Sequence, residues 1–294
     1  MELSIILVSY NTSKITLNCI KSIINSNLGN KYEIIVVDNA STDGSVEAIE
    51  ELLQQFAKAS HKISIKNENG IAQVRINSRT APLRLIKNQT NFGFAKANNQ
   101  GLKVARGKYI LLLNSDTLVE KAEIEKLLNF ASHTPDAGAV VPKLVNFDRS
   151  VQGSIFRFPT IGRAIRQYWL KEQGILDKYS PVSSQPTPVE VEAAVMAAFL
   201  ITPQAISLVG LLDERFFIYY EDIDYCRRIK NAGLKVYYLP DSEVIHYHGV
   251  SGKSLAALKD QWKRLIPSSK IYHGIIRHYI FNFIIWSGQK LKQA

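Results

Sequence analysis

Four polar clusters in this 294-residue chain follow apolar or aromatic runs: Ser9-Tyr10-Asn11, Asp38-Asn39-Ala40-Ser41, Asn114-Ser115-Asp116 and Glu221-Asp222. In a parallel sheet, positions just beyond the C-terminal strand ends are where ligands bind. One such loop is unremarkable, but several at successive strand ends line a common crevice. Carboxylates and amides together suit a nucleotide diphosphate and a divalent cation.

Each group has its own chemistry. Asp116 ends the run GKYILLLNSD, whose strand is apolar at every position and is therefore expected to be buried on both faces. Its carboxylate is suited either to Mg²⁺ or Mn²⁺ bridging two phosphates or to capping the turn that follows. Glu221-Asp222 follows Phe216, Phe217, Tyr219 and Tyr220 and opens a helix carrying Asp224, Arg227 and Arg228. Acids there can simply cap the helix. Aromatic surroundings also raise a carboxyl pKa and make it a better proton acceptor for an alcohol, with the arginines limiting the rise. His246 and His248 sit two apart in VIHYHGVSG, so on an extended chain both face one side. An imidazole there is either a hydrogen-bonded structural group or one ligand of an ion such as Mn²⁺.

The elements that position these residues alternate. Leu3 to Val8 and Glu33 to Val37 are β-branched runs separated by a segment from Ser13 with apolar residues at helical spacing. Asp43 caps a second helix through about Phe56, Leu83 to Ile86 and Tyr109 to Leu113 are strands, and Ala95 to Ala105 and Ala122 to Ser132 are helices. Repeated β-α-β units imply an α/β fold with a mostly parallel central sheet covered by helices on both faces. Lys62 to Asn77 reads as a hairpin turning at Asn69-Gly70. The first half is expected to end near Val141. A proline- and glycine-marked stretch follows, with a helix at Ala164 to Lys171. Then come a buried strand over Glu192 to Ile201, a helix over Asp222 to Ala232, and a strand Lys235 to Leu239 ended by Pro240.

Composition narrows the class. With 46% hydrophobic residues the chain can bury a full core. Two cysteines, Cys19 and Cys226, make neither a disulfide framework nor a zinc pattern, and a reducing cytoplasm is the expected setting. No basic leader precedes Leu3, and the apolar run Tyr279 to Trp286 falls short of the roughly 20 residues of a spanning helix. The net charge of +10 is concentrated in Lys58 to Lys108 and Lys253 to Ala294. Such zones are either solvated faces or seats for phosphates and anionic lipid. No helix-turn-helix, zinc finger or RNP signature supports nucleic-acid binding, and no Gly-x-Gly-x-x-Gly follows the first strand as a nicotinamide dehydrogenase requires. The extension Trp262 to Lys292 mixes basic and apolar residues, so it is expected either to lie on an anionic membrane surface or to pack on the rest of the chain.

Six strings, in order, resemble the inverting family 2 glycosyltransferases of the GT-A fold, especially the bacterial rhamnosyltransferase-like branch. They are SIILVSYN (4–11), VVDNASTDGS (36–45), NFGFAKANNQG (91–101), GKYILLLNSDT (107–117), DERFFIYYEDIDYCRRIKNAG (213–233) and VIHYHGVSG (244–252). The resemblance implies a catalytic domain over 1–252, its nucleotide-sugar half 1–141 and its acceptor and base half 142–252, followed by a C-terminal helical extension over 253–294. It implies that Ser9, Tyr10, Asn11 and Asp38 hold the nucleoside and that Asn91, Gly93 and Asn99 shape the same pocket. Asn114-Ser115-Asp116 corresponds to the metal-binding Asp-x-Asp motif with Asn114 in place of the first acid. By the same resemblance His246, with His248 the alternative, would be the second metal ligand and Asp222, rather than Glu221, the catalytic base; in the mechanism expected from these roles Arg227 or Arg228 assists the diphosphate. The expected activity is inverting transfer of a sugar, with rhamnose the leading donor, to a hydroxyl of a glycan or lipid-linked acceptor at the inner face of the cytoplasmic membrane. The alternative is an inactive sugar-nucleotide-binding protein. Ala97, Ala197, Asp148-Arg149 and the hairpin depart from the family pattern.

Overall fold

A computed structural model describes residues 1–26, 28, 32–60, 63–68, 71–76, 83–181, 187–247 and 261–290. The first half runs β1 (Leu3–Ser9), α1 (Ser13–Asn25), β2 (Tyr32–Asp38), α2 (Ser45–Ser60), β3 (Ile63–Glu68), β4 (Ile71–Ile76), β5 (Leu83–Lys87), α3 (Phe94–Val104), β6 (Tyr109–Asn114), β7 (Thr117–Leu118) and α4 (Lys121–His133). The second half runs β8 (Ala137–Val145), β9 (Ile155–Phe156), α5 (Ile161–Ala164), β10 (Val189–Val191), β11 (Ala193–Ala194), β12 (Ala198–Ile201), α6 (Pro203–Val209), α7 (Glu221–Asn231), β13 (Lys235–His246), α8 (Gln261–His273) and α9 (Ile275–Lys290). A π-helical turn, Ile165–Trp169, continues α5.

The parallel sheet expected from the alternation forms the centre, in the order β5-β2-β1-β6, and antiparallel strands extend both edges. Along β1 the side chains alternate between the two faces. Leu3, Ile5 and Leu7 join one core cluster and Ile6 the other. The same alternation in β2 and β6 explains why these strands read as continuous apolar runs: helices cover both faces. Register then fixes what the strand ends can do. Ser9 pairs with Asp38, and Val8 with Asn114, so three of the polar clusters leave the sheet at one edge. In the second half β7 pairs with β13, His246 opposite Thr117, which brings the fourth strand end beside Asp116.

Two boundaries differ from expectation at prolines. β13 does not stop at Pro240 but runs on to His246, and β8 passes through Pro142 instead of ending the first half near Val141. The β13–β8 register shifts between Leu239 and Glu243, so a bulge absorbs the proline that a regular ladder could not accommodate. The predicted strand Glu192 to Ile201 divides into β11 and β12. The hairpin strands β3 and β4 are present, and its Asn69-Gly70 turn lies outside the described residues.

Both cysteines are buried and reduced. Burial pushes the Cys19 thiol up to about 12, and Cys226 is shifted in the same direction, so neither is a nucleophile. At Gly274 (φ +77°) the chain turns from α8 into α9. α9 packs Phe281 and Ile284 against Ala164 of α5. Its other face leaves Ile276, Tyr279, Phe283 and Trp286 more than half exposed. Both options read for this extension therefore have a face: one side is packed and the other is bare. No helix among the described residues is long and apolar enough to cross a membrane.

Candidate functional site

A cleft of about 750 Å³ opens at the strand-end edge, and it reaches from Tyr10, Asn39, Asn91, Asn114 and Ser115 to Glu221, Asp222 and His246. The loops on its sheet side are held by backbone conformations that side chains resist. Asn11 (φ +52°) and Ala40 (φ +68°) are left-handed, and Asn11 Oδ1 accepts the Thr42 amide at 2.7 Å while its own amide donates to Ser41 Oγ at 3.0 Å. Asp38 Oδ1 accepts the Ser41 amide at 2.9 Å; its Oδ2, buried, meets no hydrogen-bond donor among the described residues. Burial pushes that carboxyl above the usual aspartate range.

Asn39, the neighbour of Asp38, ties the donor-side loops together. Its side-chain amide donates to Asn91 Oδ1 at 2.8 Å, and its Oδ1 accepts from the Phe92 amide and from Asn88 Nδ2, each at 3.0 Å. Asn91 Oδ1 in turn accepts the Gly93 amide at 2.9 Å. Gly93 is left-handed (φ +83°), and a Cβ there would stand 2.4 Å from the Phe217 carbonyl oxygen, so only glycine fits.

Beside these loops, after β6, Asp116 is fully buried and its Oδ1 lies 3.3 Å from His246 Nε2, which borders the cleft. Gln152 decides the state of that imidazole. Its Nε2 donates to Asn146 Oδ1 and to the His246 carbonyl, both at 2.6 Å, so its Oε1 is the atom 3.0 Å from His246 Nδ1. An oxygen there makes Nδ1 the donor, so Nε2 is the nitrogen that would offer a lone pair to a cation beside the Asp116 carboxylate. Two electron-pair donors 3.3 Å apart fit adjacent ligands of one divalent cation, with metal bonds of about 2.1 Å. Among the described residues no group of three or more His, Cys, Asp or Glu forms a fuller cage. His248 lies outside the described residues.

The acid pair occupies the first turn of α7. Tyr219 and Tyr220 precede it with φ of +69° and +68°, a left-handed pair costing about 1–3 kcal/mol per residue. That turn swings Glu221 and Asp222 into the cleft. Glu221 is buried, and its Oε2 has no hydrogen-bond partner among the described residues. Burial, then the neighbouring Asp222 charge, pushes its carboxyl well above the usual range. Asp222 is half-buried and also raised by burial, but the Ile223 amide, which it accepts at 2.8 Å, and the charge of Lys178 hold it down. The two carboxyls are thus pushed to different degrees by their surroundings.

Several residues expected to touch ligand do other work. Asn99 is buried and its amide is spent on Leu212 and Glu214: Nδ2 donates to the Leu212 carbonyl at 2.9 Å and Oδ1 accepts the Leu212 amide at 3.0 Å. Arg227 and Arg228 do not border the cleft. Both bind Asp224 at 2.9 Å, Arg227 lies 4.1 Å over the Tyr272 ring, and Arg228 also donates to the Val209 and Leu211 carbonyls. Ser9 bonds Thr16 Oγ1 at 3.0 Å beneath the loop. Ser9, Asn11 and Asp38 support the cleft from behind its lining. Sequence reasoning missed Gln152 and the cleft cations Arg157 and Lys178, which lie in the stretch of weak periodicity after Pro142 and carry no motif there. Asn39 was inside a recognised string, and its signal was only its place beside Asp38.

Comparisons with known proteins agree with this architecture. The family model described as "Glycosyltransferase like family 2" matches residues 2–266. The N-acetylglucosaminyl-diphospho-decaprenol L-rhamnosyltransferase of Mycobacterium tuberculosis is 24% identical over 230 residues, 73% of this chain and 66% of that protein. The dTDP-rhamnosyl transferase RfbF of Shigella flexneri is 24% identical over 228 residues, 76% of this chain and 70% of its own length. Among solved structures, the Pyrobaculum calidifontis mannosyltransferase PcManGT, in complex with GDP-Man and Mn²⁺, superposes with a TM-score of 0.58 at 14% identity, over 95% of this chain and 63% of its own. GalNAc-T7 with UDP, GalNAc and Mn²⁺ gives 0.59 at 16%, over 83% of this chain and 43% of its own. The chain therefore spans less than two thirds of the mycobacterial relative and of both these structures, and it shares with them the GT-A fold.

Proposed function

The chain belongs to the glycosyltransferase like family 2, and from that premise we propose that it transfers a sugar, with rhamnose the leading candidate, from a nucleoside diphosphate to a hydroxyl of a glycan or lipid-linked acceptor, inverting the anomeric centre. The observation that carries this reading is the single cleft joining Ser115 and His246 to Glu221 and Asp222. A donor held at one wall then presents its anomeric carbon to an acceptor at the other.

In this reading the nucleoside lies among Tyr10, Asn39 and Asn91, whose loops the strained backbone at Asn11, Ala40 and Gly93 fixes in place. Asp116 and His246 hold a divalent cation, Mg²⁺ or Mn²⁺; when bound, it supplies positive charge to the departing diphosphate. Gln152, accepting from Nδ1, orients the His246 ring so that Nε2 faces the cation. Asp222 Oδ2 takes the acceptor's proton, since Oδ1 is engaged by the Ile223 amide. Glu221, buried and pushed further up than Asp222, is disfavoured in its charged form and so is the less suited of the two to act as the base.

The relatives' names support a rhamnosyl donor and a lipid diphosphate acceptor, and the bare face of α9 supports work at a membrane surface. Tyr279 and Trp286 flank that face, with Lys270 5.3 Å and Lys290 4.5 Å from their rings, the mixture of aromatic and basic groups that suits an anionic interface. The deciding experiment is a screen of nucleoside diphosphate sugars with Mn²⁺ or Mg²⁺, reading nucleotide release. One responding donor, silenced in Asp222→Asn, is the expected result. Tight nucleotide binding without release from any donor would instead mark an inactive binding protein.

A further inference from the structure

The lining of the cleft includes, besides Asp222, cations from the segment after β9. They are Arg157 and Lys178. Arg157 donates to the Gly174 carbonyl at 3.0 Å and lies 4.6 Å over the Tyr179 ring, while Lys178 lies 5.2 Å over the Phe156 ring. Among the described residues neither meets a carboxylate within ion-pair distance, whereas Arg163 nearby does, with Glu192 at 2.6 Å. Two cations facing a cavity without such partners are placed to receive an anion. Around them the lining turns apolar, through Pro159, Tyr168 and Leu176 to Phe281 and Ile285 of α9.

We propose that Arg157 and Lys178 seat a phosphate or diphosphate group of the acceptor, whose hydrocarbon runs along Leu176, Phe281 and Ile285 while its hydroxyl meets Asp222. This rests on the glycosyl-transfer reading and adds to it an anion site on the acceptor side. The donor-side lining comes from other segments: Tyr10, Asn39, Asn91 and Ser115 follow β1, β2, β5 and β6. The cations belong instead to the stretch 155–179, on the side of the cleft that α9 closes. Lys178 and Asp222 line the same cleft, and the Lys178 charge holds the Asp222 carboxyl down.

The test is a calorimetric titration of the full chain with geranyl diphosphate in EDTA, with geraniol as the uncharged control. Wild type, the double variant R157Q/K178Q, the double variant R157K/K178R and Asp116→Asn are compared, each checked by circular dichroism. The expected result is that R157Q/K178Q weakens geranyl diphosphate by about 10- to 100-fold, the worth of a charged hydrogen bond. R157K/K178R and Asp116→Asn keep wild-type affinity, and geraniol binds at least tenfold more weakly. The proposal is overturned if wild type does not bind geranyl diphosphate at millimolar concentration, if geraniol binds equally well, or if Asp116→Asn loses the ligand while R157Q/K178Q keeps it. That last pattern would assign the diphosphate to the donor wall. Nucleotide release in the donor screen reports on glycosyl transfer separately, so either reading can fail alone.

Discussion

The carbonyl oxygen of Phe217 accepts the Phe94 amide at 2.7 Å, directly against Gly93. This one hydrogen bond latches the loop that leads to the acid pair onto the start of α3, on the donor side.

Gly93→Ala should release that latch. Its Cβ would press on the Phe217 backbone and its φ would remain strained, a cost of about 1–3 kcal/mol. Because Tyr219 and Tyr220 follow Phe217 closely, kcat/KM should fall further than the thermal midpoint alone explains. Melting curves and steady-state kinetics on one preparation check this; a lower midpoint with unchanged kcat/KM contradicts it.

The two acids should separate in kinetics. Asp222→Asn is expected to lower kcat by about 10² to 10⁴ with donor binding intact, the usual scale of general-base assistance. The Asp222 carboxyl is raised by burial, so activity is lost as pH falls through a value above the usual aspartate range. In Lys178→Gln the acid limb should move higher still, since a charge that holds the carboxyl down is gone.

Glu221 makes the opposite kind of statement, about stability. Its folded-state pKa lies above the unfolded value, so folding disfavours the charged form, and stability is lost as pH rises from the unfolded pKa of about 4.3. Glu221→Gln removes that penalty. Its melting temperature should exceed wild type at pH 7.5, and the gap should close near pH 4. A gap that widens on acidification would refute the assignment.

Gln152→Leu tests the metal corner without touching either proposed ligand. Without an acceptor for Nδ1–H, His246 loses its fixed tautomer and orientation. The Mn²⁺ concentration giving half-maximal activity should rise about 10- to 100-fold, with kcat at saturating metal changed much less.

For the α9 face, the triple variant I276S/F283S/W286S should pellet less with anionic liposomes than wild type does. The substituted side chains are more than half exposed, so the fold should tolerate the change. Equal pelleting would show that this face does not meet lipid.

Much of the architecture was legible because the central strands are buried on both faces. Leu3–Ser9 and Tyr109–Asn114 could be read as unbroken apolar runs, and polar clusters at their ends followed from topology. Prolines misled, since Pro142 and Pro240 sit inside strands where a bulge accommodates them. The motif strings pointed to the cleft as a whole but not to which of their residues face it. Arg227 and Arg228 were expected at the diphosphate, and nothing local revealed that Asp224 and Tyr272 would claim them. Gln152, Arg157 and Lys178 depend on long-range folding of an irregular segment, for which periodicity has no signature.

α9 has one flank on the cleft, through Phe281 and Ile285, and the other in open solvent, through Phe283 and Trp286. A rod shared in this way cannot be pushed from outside without its inner flank shifting too. Whatever coats the outer stripe, whether bilayer, detergent or a second protein, therefore leans on the wall of the substrate chamber. Under the proposed function, turnover in plain buffer and turnover at an interface should therefore differ.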